Sequence, residues 1–143
     1  MLDMGDAPAD LPLGYLLTRA AMALRVEVTS SVLEPLNLTF AQYRCLRSLS
    51  HFPGKSNAEL AREMFVSPQA MNMVVRGLQE LGLLSRPATV AAGRALPAEV
   101  TREGVALLKR TDAGVRTAEL KVLGHLTEHE RTELKRMLAA VGD

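Results

Sequence analysis

Ser67-Pro-Gln-Ala-Met-Asn-Met-Val-Val-Arg-Gly-Leu-Gln-Glu-Leu-Gly-Leu83 is the stretch that decides the fold. Ser67 can cap a helix, because its hydroxyl accepts from the unpaired amides of a first turn. Pro68 suits the first helical position, where its missing N–H is no loss. Met71, Val74, Val75, Leu78 and Leu81 recur at helical spacing and are expected to face a core. Gly82 can then turn left-handed and end the helix. The other face carries Gln69, Asn72, Met73, Arg76 and Gln79, with no acidic side chain before Glu80. Amides and a guanidinium clear of carboxylates suit a DNA major groove, where Asn and Gln bond adenine bidentately and Arg bonds guanine. An ordinary surface helix would carry the same marks, so the neighbouring segments have to decide.

Upstream, Ser56-Asn-Ala-Glu59 is a capping box that opens a short helix through Leu60, Ala61 and Met64. Phe65-Val66 joins it tightly to Ser67. A short helix, a tight turn and a longer helix with a polar face form a helix-turn-helix, whose second helix enters the groove. Downstream the period changes. Leu83 to Arg86 reads as a short strand, Pro87 to Gly93 as a turn-rich tip, and Arg94 to Val100 as a returning strand that contains Pro97. A hairpin after a helix-turn-helix is the wing of a winged helix. A proline inside its second strand would remove a ladder hydrogen bond.

The flanks are helical. Residues 1–10 are expected to be a flexible leader, and residues 11–143 one domain. A long helix from about Leu11 to Leu33 shows Leu13, Leu16, Leu17, Ala20, Leu24, Val28 and Val32 on its apolar side, and ends near Pro35 and Asn37. So long an apolar stripe is expected to pack partly on a second subunit. Thr39-Phe-Ala-Gln42 caps a second helix with Tyr43, Leu46 and Leu49 inward and Cys45 beside them. Arg44, Arg47 and His51 form a basic stripe read as a solvated face. Thr101 caps a helix to about Leu123, with Val105, Leu107, Leu108, Val115, Leu120 and Val122 among its apolar positions. Thr127-Glu-His-Glu130 opens the last helix. The expected architecture is mainly α with a small β-wing: a winged helix core at 38–104, flanked by dimerisation helices at 11–36 and 105–143.

Composition agrees. Hydrophobic residues are 48% of the chain but aromatics only 3%, so the core must be aliphatic. One cysteine excludes an internal disulfide framework and points to a reducing, cytoplasmic setting. No apolar run nears the ~20 residues that span a membrane, and the acidic start does not resemble a signal peptide. Residues 1–38 hold two basic and five acidic side chains, residues 39–104 eight and five, and residues 105–143 seven and six. The basic excess therefore falls on the segment that would meet phosphate.

Taken together, Leu38-Thr-Phe-Ala-Gln-Tyr43, Glu59-Leu-Ala-Arg62, Val66-Ser-Pro68, Leu78-Gln-Glu-Leu-Gly-Leu83, Val100-Thr-Arg-Glu-Gly104 and Leu126-Thr-Glu-His-Glu130 resemble the multiple antibiotic resistance regulator (MarR) family of bacterial transcription factors. The resemblance runs from about Leu13 to Val141. It implies a homodimer that binds a palindromic operator in double-stranded DNA, usually as a repressor relieved by a small aromatic or anionic effector. By position it implies that Gln69, Asn72, Met73 and Arg76 face bases. Ser56, Asn57 and Ser67 would meet phosphates at helix N-termini, and Arg86 and Arg94 would be the two wing arginines. The effector pocket it implies lies between the dimer helices and the winged core, with Tyr15, Tyr43 and Arg47 as candidates. Two departures stand out: Ala92 takes a position that is commonly acidic in the family, and Met73 one that is frequently polar or basic.

An enzyme is disfavoured, because the chain has no phosphate-binding glycine loop, nucleophile elbow or His/carboxylate cluster at catalytic spacing. No cofactor is expected. His125 and His129 have metal-ligand spacing, but Thr127 is expected to start a helix between them. The remaining alternative is a winged-helix dimer with weakened DNA binding that acts through protein contacts, motivated by Ala92 and Pro97.

Overall fold

A computed structural model describes residues 10–87 and 97–141. The elements in order are α1 (Leu13–Val28), α2 (Phe40–His51), α3 (Asn57–Met64), α4 (Pro68–Glu80), β1 (Leu84–Ser85), β2 (Glu99–Val100), α5 (Arg102–Leu123) and α6 (Glu128–Ala139). Among the described residues the mainly helical, winged architecture is as the sequence predicts. Ala92 and Arg94 lie outside them.

α1 does not stop at Val28. It runs on through a π-helical turn, Thr29–Leu33, and a 3₁₀ turn, Glu34–Leu36, that contains Pro35. Asn37 then reverses the chain in the left-handed region at φ 56°, and the Leu38 amide reaches back to the Leu33 carbonyl at 3.1 Å. This tail is where α1 enters the core, since Val28, Val32 and Leu33 are buried. Earlier in α1 the expected stripe is only partly covered within the protomer: Leu13 is 75% exposed and Leu17 is exposed, while Leu16, Ala20 and Leu24 are half-buried.

Leu33, Leu46, Leu60, Met71, Val75 and Leu78 form the fully buried centre, drawn from α1's tail, α2, α3 and α4. Each such side chain stabilises the fold by about 1.5–3 kcal/mol through removal from water. α5 lies along α1, with Lys121 Nζ 3.1 Å from Glu27 Oε1, and sends Leu108 and Ala118 inward. α6 has a complete capping box but no buried residue; Met137, Leu138 and Val141 are exposed.

The wing's root pairs antiparallel, Leu84 with Val100 and Ser85 with Glu99. β1 is shorter than the expected Leu83 to Arg86, and among the described residues of the return only Glu99 and Val100 pair. Pro97 corrects an expectation: it precedes β2 instead of interrupting it, so the two paired positions keep their amides. Leu81 is a second correction. It is 54% exposed, because α4 ends at Glu80 and the chain reverses at Gly82, φ 75°. The Leu83 and Gly82 amides bond the Leu78 and Gln79 carbonyls at 2.9 and 3.0 Å, and Leu83 takes the inward place expected for Leu81.

Candidate nucleic-acid interface

α3 and α4 are set by their caps. Ser56 accepts from the Glu59 amide at 3.1 Å while Glu59 Oε1 accepts from the Ser56 amide at 3.2 Å. Ser67 accepts from the Ala70 amide at 3.1 Å, with Pro68 in the first turn. Between the helices Phe65 takes a left-handed conformation, φ 55°, which a bulky residue rarely adopts, and its side chain is 92% exposed. The Val66 amide returns to the Ala61 carbonyl at 3.0 Å and closes the turn. The α2–α3 corner is braced by Glu63, which accepts from Lys55 Nζ at 2.7 Å and Ser48 Oγ at 3.0 Å.

This geometry leaves Gln69, Asn72, Met73 and Arg76 together on the exposed side of α4, opposite buried Met71, Val75 and Leu78. Met73 is 73% exposed. Three of the predicted positions are joined side chain to side chain. Arg86 Nη2 donates to Asn57 Oδ1 at 2.9 Å, and Asn57 Nδ2 donates to Asn72 Oδ1 at 2.8 Å. Arg86 is thus turned towards α3, and Asn57 is occupied on both sides. Ser56 and Ser67 stand at the starts of α3 and α4, with their oxygens used as caps and their O–H groups left to donate.

The wing root is fastened to α4's end by Thr101. Its hydroxyl donates to the Gly82 carbonyl at 2.6 Å and accepts from the Gly104 amide at 3.1 Å, while its own amide donates to the Leu83 carbonyl at 3.1 Å. Sequence shows Thr101 as a cap but not this tie to Gly82, which joins positions 19 apart.

Of the effector candidates, Tyr43 and Arg47 meet and Tyr15 does not join them. Arg47 Nη2 donates to Tyr43 Oη at 3.2 Å and to Asp112 Oδ1 at 2.9 Å. Arg47 therefore leaves the solvated stripe expected for it and ties α2 to α5. Partial burial opposes its charge, but the bonds to Tyr43 and Asp112 outweigh this and hold its pKa above the ordinary arginine value. Both bonds use Nη2, one of the three nitrogens of the guanidinium. Clefts open elsewhere. One of about 670 Å³ lies among α1, α5 and α6, walled by Leu24, Leu120, Leu123 and Leu134 with Arg116 and Arg131 at its edge. Another, of about 390 Å³, sits at the wing root among Leu49, Pro53, Pro87, Pro97, Val100 and Val105.

Burial, and secondarily the charge of Glu63, pushes the Cys45 thiol up to about 11. Thr127 caps α6 between His125 and His129, so the two histidines do not share a helix face. Among the described residues no three His, Cys, Asp or Glu side chains converge on a point that could hold a metal, and no helix is long and apolar enough to cross a membrane.

Fold and exposed face together define a winged helix-turn-helix protein. A MarR family profile matches residues 36–95. The HTH-type transcriptional repressor Rv2887 of Mycobacterium tuberculosis is 53% identical over 133 residues, covering 93% of this chain and 95% of the relative. The chain belongs to the MarR family. The crystal structure of Rv2887 with salicylic acid aligns at a TM-score of 0.78 with 51% identity, covering 94% of this chain and 98% of that one. The structure of Rv2887 with DNA aligns at 0.76 with 48% identity, covering 94% and 100%.

Proposed function

We propose that this protein is a homodimeric transcriptional repressor that reads a palindromic operator with α4 and is released by a small aromatic carboxylate. The observation that carries the reading is the α4 face: Gln69, Asn72, Met73 and Arg76 exposed side by side, with the capped starts of α3 and α4 beside them. Amides and a guanidinium read base edges, and helix N-termini favour phosphates. A relative with half of its residues identical is crystallised with DNA and, separately, with salicylic acid. The uncovered apolar residues of α1 and α6, among them Leu13, Leu17, Met137 and Leu138, give a second copy a surface to bury. Pro97 lies outside the two paired positions of β2, which keep their amides.

The test is fluorescence anisotropy on duplexes drawn from the protein's own genome at two salt concentrations, with Arg76→Ala alongside. The parent is expected to bind one palindrome tightly, with half-sites about one helical turn apart. The variant should lose ~1–3 kcal/mol, and salicylate should weaken the parent. Equal, weak binding to every duplex with one salt slope would refute the operator reading.

A further inference from the structure

We propose that Arg86 and Asn57 act as positioning residues that turn the Asn72 amide so that its NH₂ group, rather than its carbonyl oxygen, is offered to the DNA. The proposal rests on the DNA-binding reading above. A guanidinium donates and never accepts. The 2.9 Å bond from Arg86 Nη2 therefore selects the oxygen end of the Asn57 amide as the end that faces the wing root. The nitrogen end is then left facing α4, where it needs an acceptor, and Asn72 Oδ1 supplies one at 2.8 Å. The three side chains form a hydrogen-bond chain with one polarity, set by the donor-only member at its start. Asn72 lies on the exposed face of α4, with its oxygen drawn back towards Asn57 and both amide N–H groups unspent.

The consequence is a base preference. An unrestrained asparagine bonds adenine bidentately, accepting from N6 while donating to N7, and so needs its oxygen turned to the base. With that oxygen held by Asn57, Asn72 offers donors and best matches edges rich in acceptors, N7 and O6 of guanine or O4 of thymine, over adenine, whose N7 stands beside a donating amine. Specificity at one base pair of each half-site is thereby controlled by Arg86, from the foot of the wing, through a residue of the supporting helix.

The experiment is selection from a randomised operator library, with Asn72→Ala used to locate the base pair that this side chain reads. Asn57→Asp reverses the polarity. A carboxylate still receives Arg86 but can only accept from Asn72, whose NH₂ must turn inward and its oxygen outward. The preference at that pair is expected to move from guanine or thymine to adenine or cytosine, whose exocyclic amines donate, by roughly 5-fold or more. Arg86→Met should broaden the preference at the same pair. The added charge of Asn57→Asp weakens all sequences alike, so overall affinity is not the readout. An Asn57→Asp protein that selects the parent's base would overturn the proposal. A second readout needs no DNA: in the free protein, Arg86→Met should shift the side-chain amide resonances of both Asn57 and Asn72, and an unmoved Asn72 would equally overturn it. If the parent selects no sequence at all, the operator reading fails, and the resonances still decide the relay.

Discussion

Replacing Gly104 by alanine sets two physical effects of opposite sign against each other. Helix propensity favours the change by up to about 1 kcal/mol in a helix interior, and by less here, because Gly104 is in the first turn of α5. Packing opposes it. A Cβ at Gly104 would press into the Leu83 carbonyl oxygen and lie 2.8 Å from Val100 Cγ1 and 3.4 Å from Leu46 Cδ1. Two of these neighbours have little room to yield, since Leu83 is fixed by the Schellman end of α4 and Val100 by its pairing with Leu84. Overpacking of this kind costs typically 1–3 kcal/mol. Displacing the Leu83 carbonyl also weakens its 3.1 Å bond from the Thr101 amide, for about another 1 kcal/mol. The net expectation is a destabilisation of about 2 kcal/mol, or a Tm lower by roughly 4–8 °C in a chain near this size. The assay is thermal unfolding of parent and variant at one fixed protein concentration, because dimerisation makes Tm concentration-dependent. An unchanged or raised Tm would refute the reasoning, since it would mean that the wing root yields freely.

Two further outcomes follow from titratable groups. The bond from Lys55 holds the Glu63 carboxyl below its ordinary value of 4.5; burial opposes it, and the bond from Ser48 lowers it further. A depressed carboxylate contributes stability that is complete above its unfolded pKa and is lost as pH falls through the folded one. Denaturant titrations between about pH 6 and pH 3 should therefore show the parent losing more stability than Glu63→Gln; parallel losses would count against this brace. The thiol of Cys45, fully buried and pushed up to about 11, should react with a disulfide reagent near neutral pH only on the timescale of unfolding, and prompt labelling of the native protein would contradict its burial.

What could be read from the chain was local. The caps at Thr39, Ser56, Ser67, Thr101 and Thr127 all form, because a cap needs only a hydroxyl and an amide three residues on. Asn37 and Gly82 turn left-handed as expected, for reasons equally local. The reading faltered wherever a distant partner decides. Nothing in the sequence around Arg47 announces Asp112, 65 residues on, so a solvated stripe was the natural expectation. Arg86 and Asn57 were each legible as DNA-facing, but their mutual bond spans 29 positions and no spacing rule reaches that far. Leu81 failed for a different reason. It fits the helical period, yet the Schellman turn ends that period at Glu80 and hands the inner place to Leu83.

These long-range ties bear on how a ligand could act. α5 is 22 residues long, about 33 Å of helix. At one end Thr101 and Gly104 fasten it to the foot of the wing and the end of α4; near the other, Lys121 pairs with Glu27 of α1. Between them Arg47 joins it to α2 through Asp112. The core centre, Leu33, Leu46, Leu60, Met71 and Leu78, is shared by α1's tail and the reading head and has no exposed surface. Moving α4 relative to α1 inside one protomer would break several of these contacts at once, and packed cores do not deform by small continuous steps. A contact between copies through the exposed apolar residues of α1 and α6 would lie outside that core. In a dimer on a palindrome, affinity depends on the separation of the two recognition helices, so a change in the angle between protomers would alter it with the ties inside each protomer intact. An effector needs only bind the two dimer arrangements unequally, and a coupling of about 1–3 kcal/mol is typical of such linkage. The cleft among α1, α5 and α6 would adjoin such a contact, since Leu138 lines it and is itself exposed.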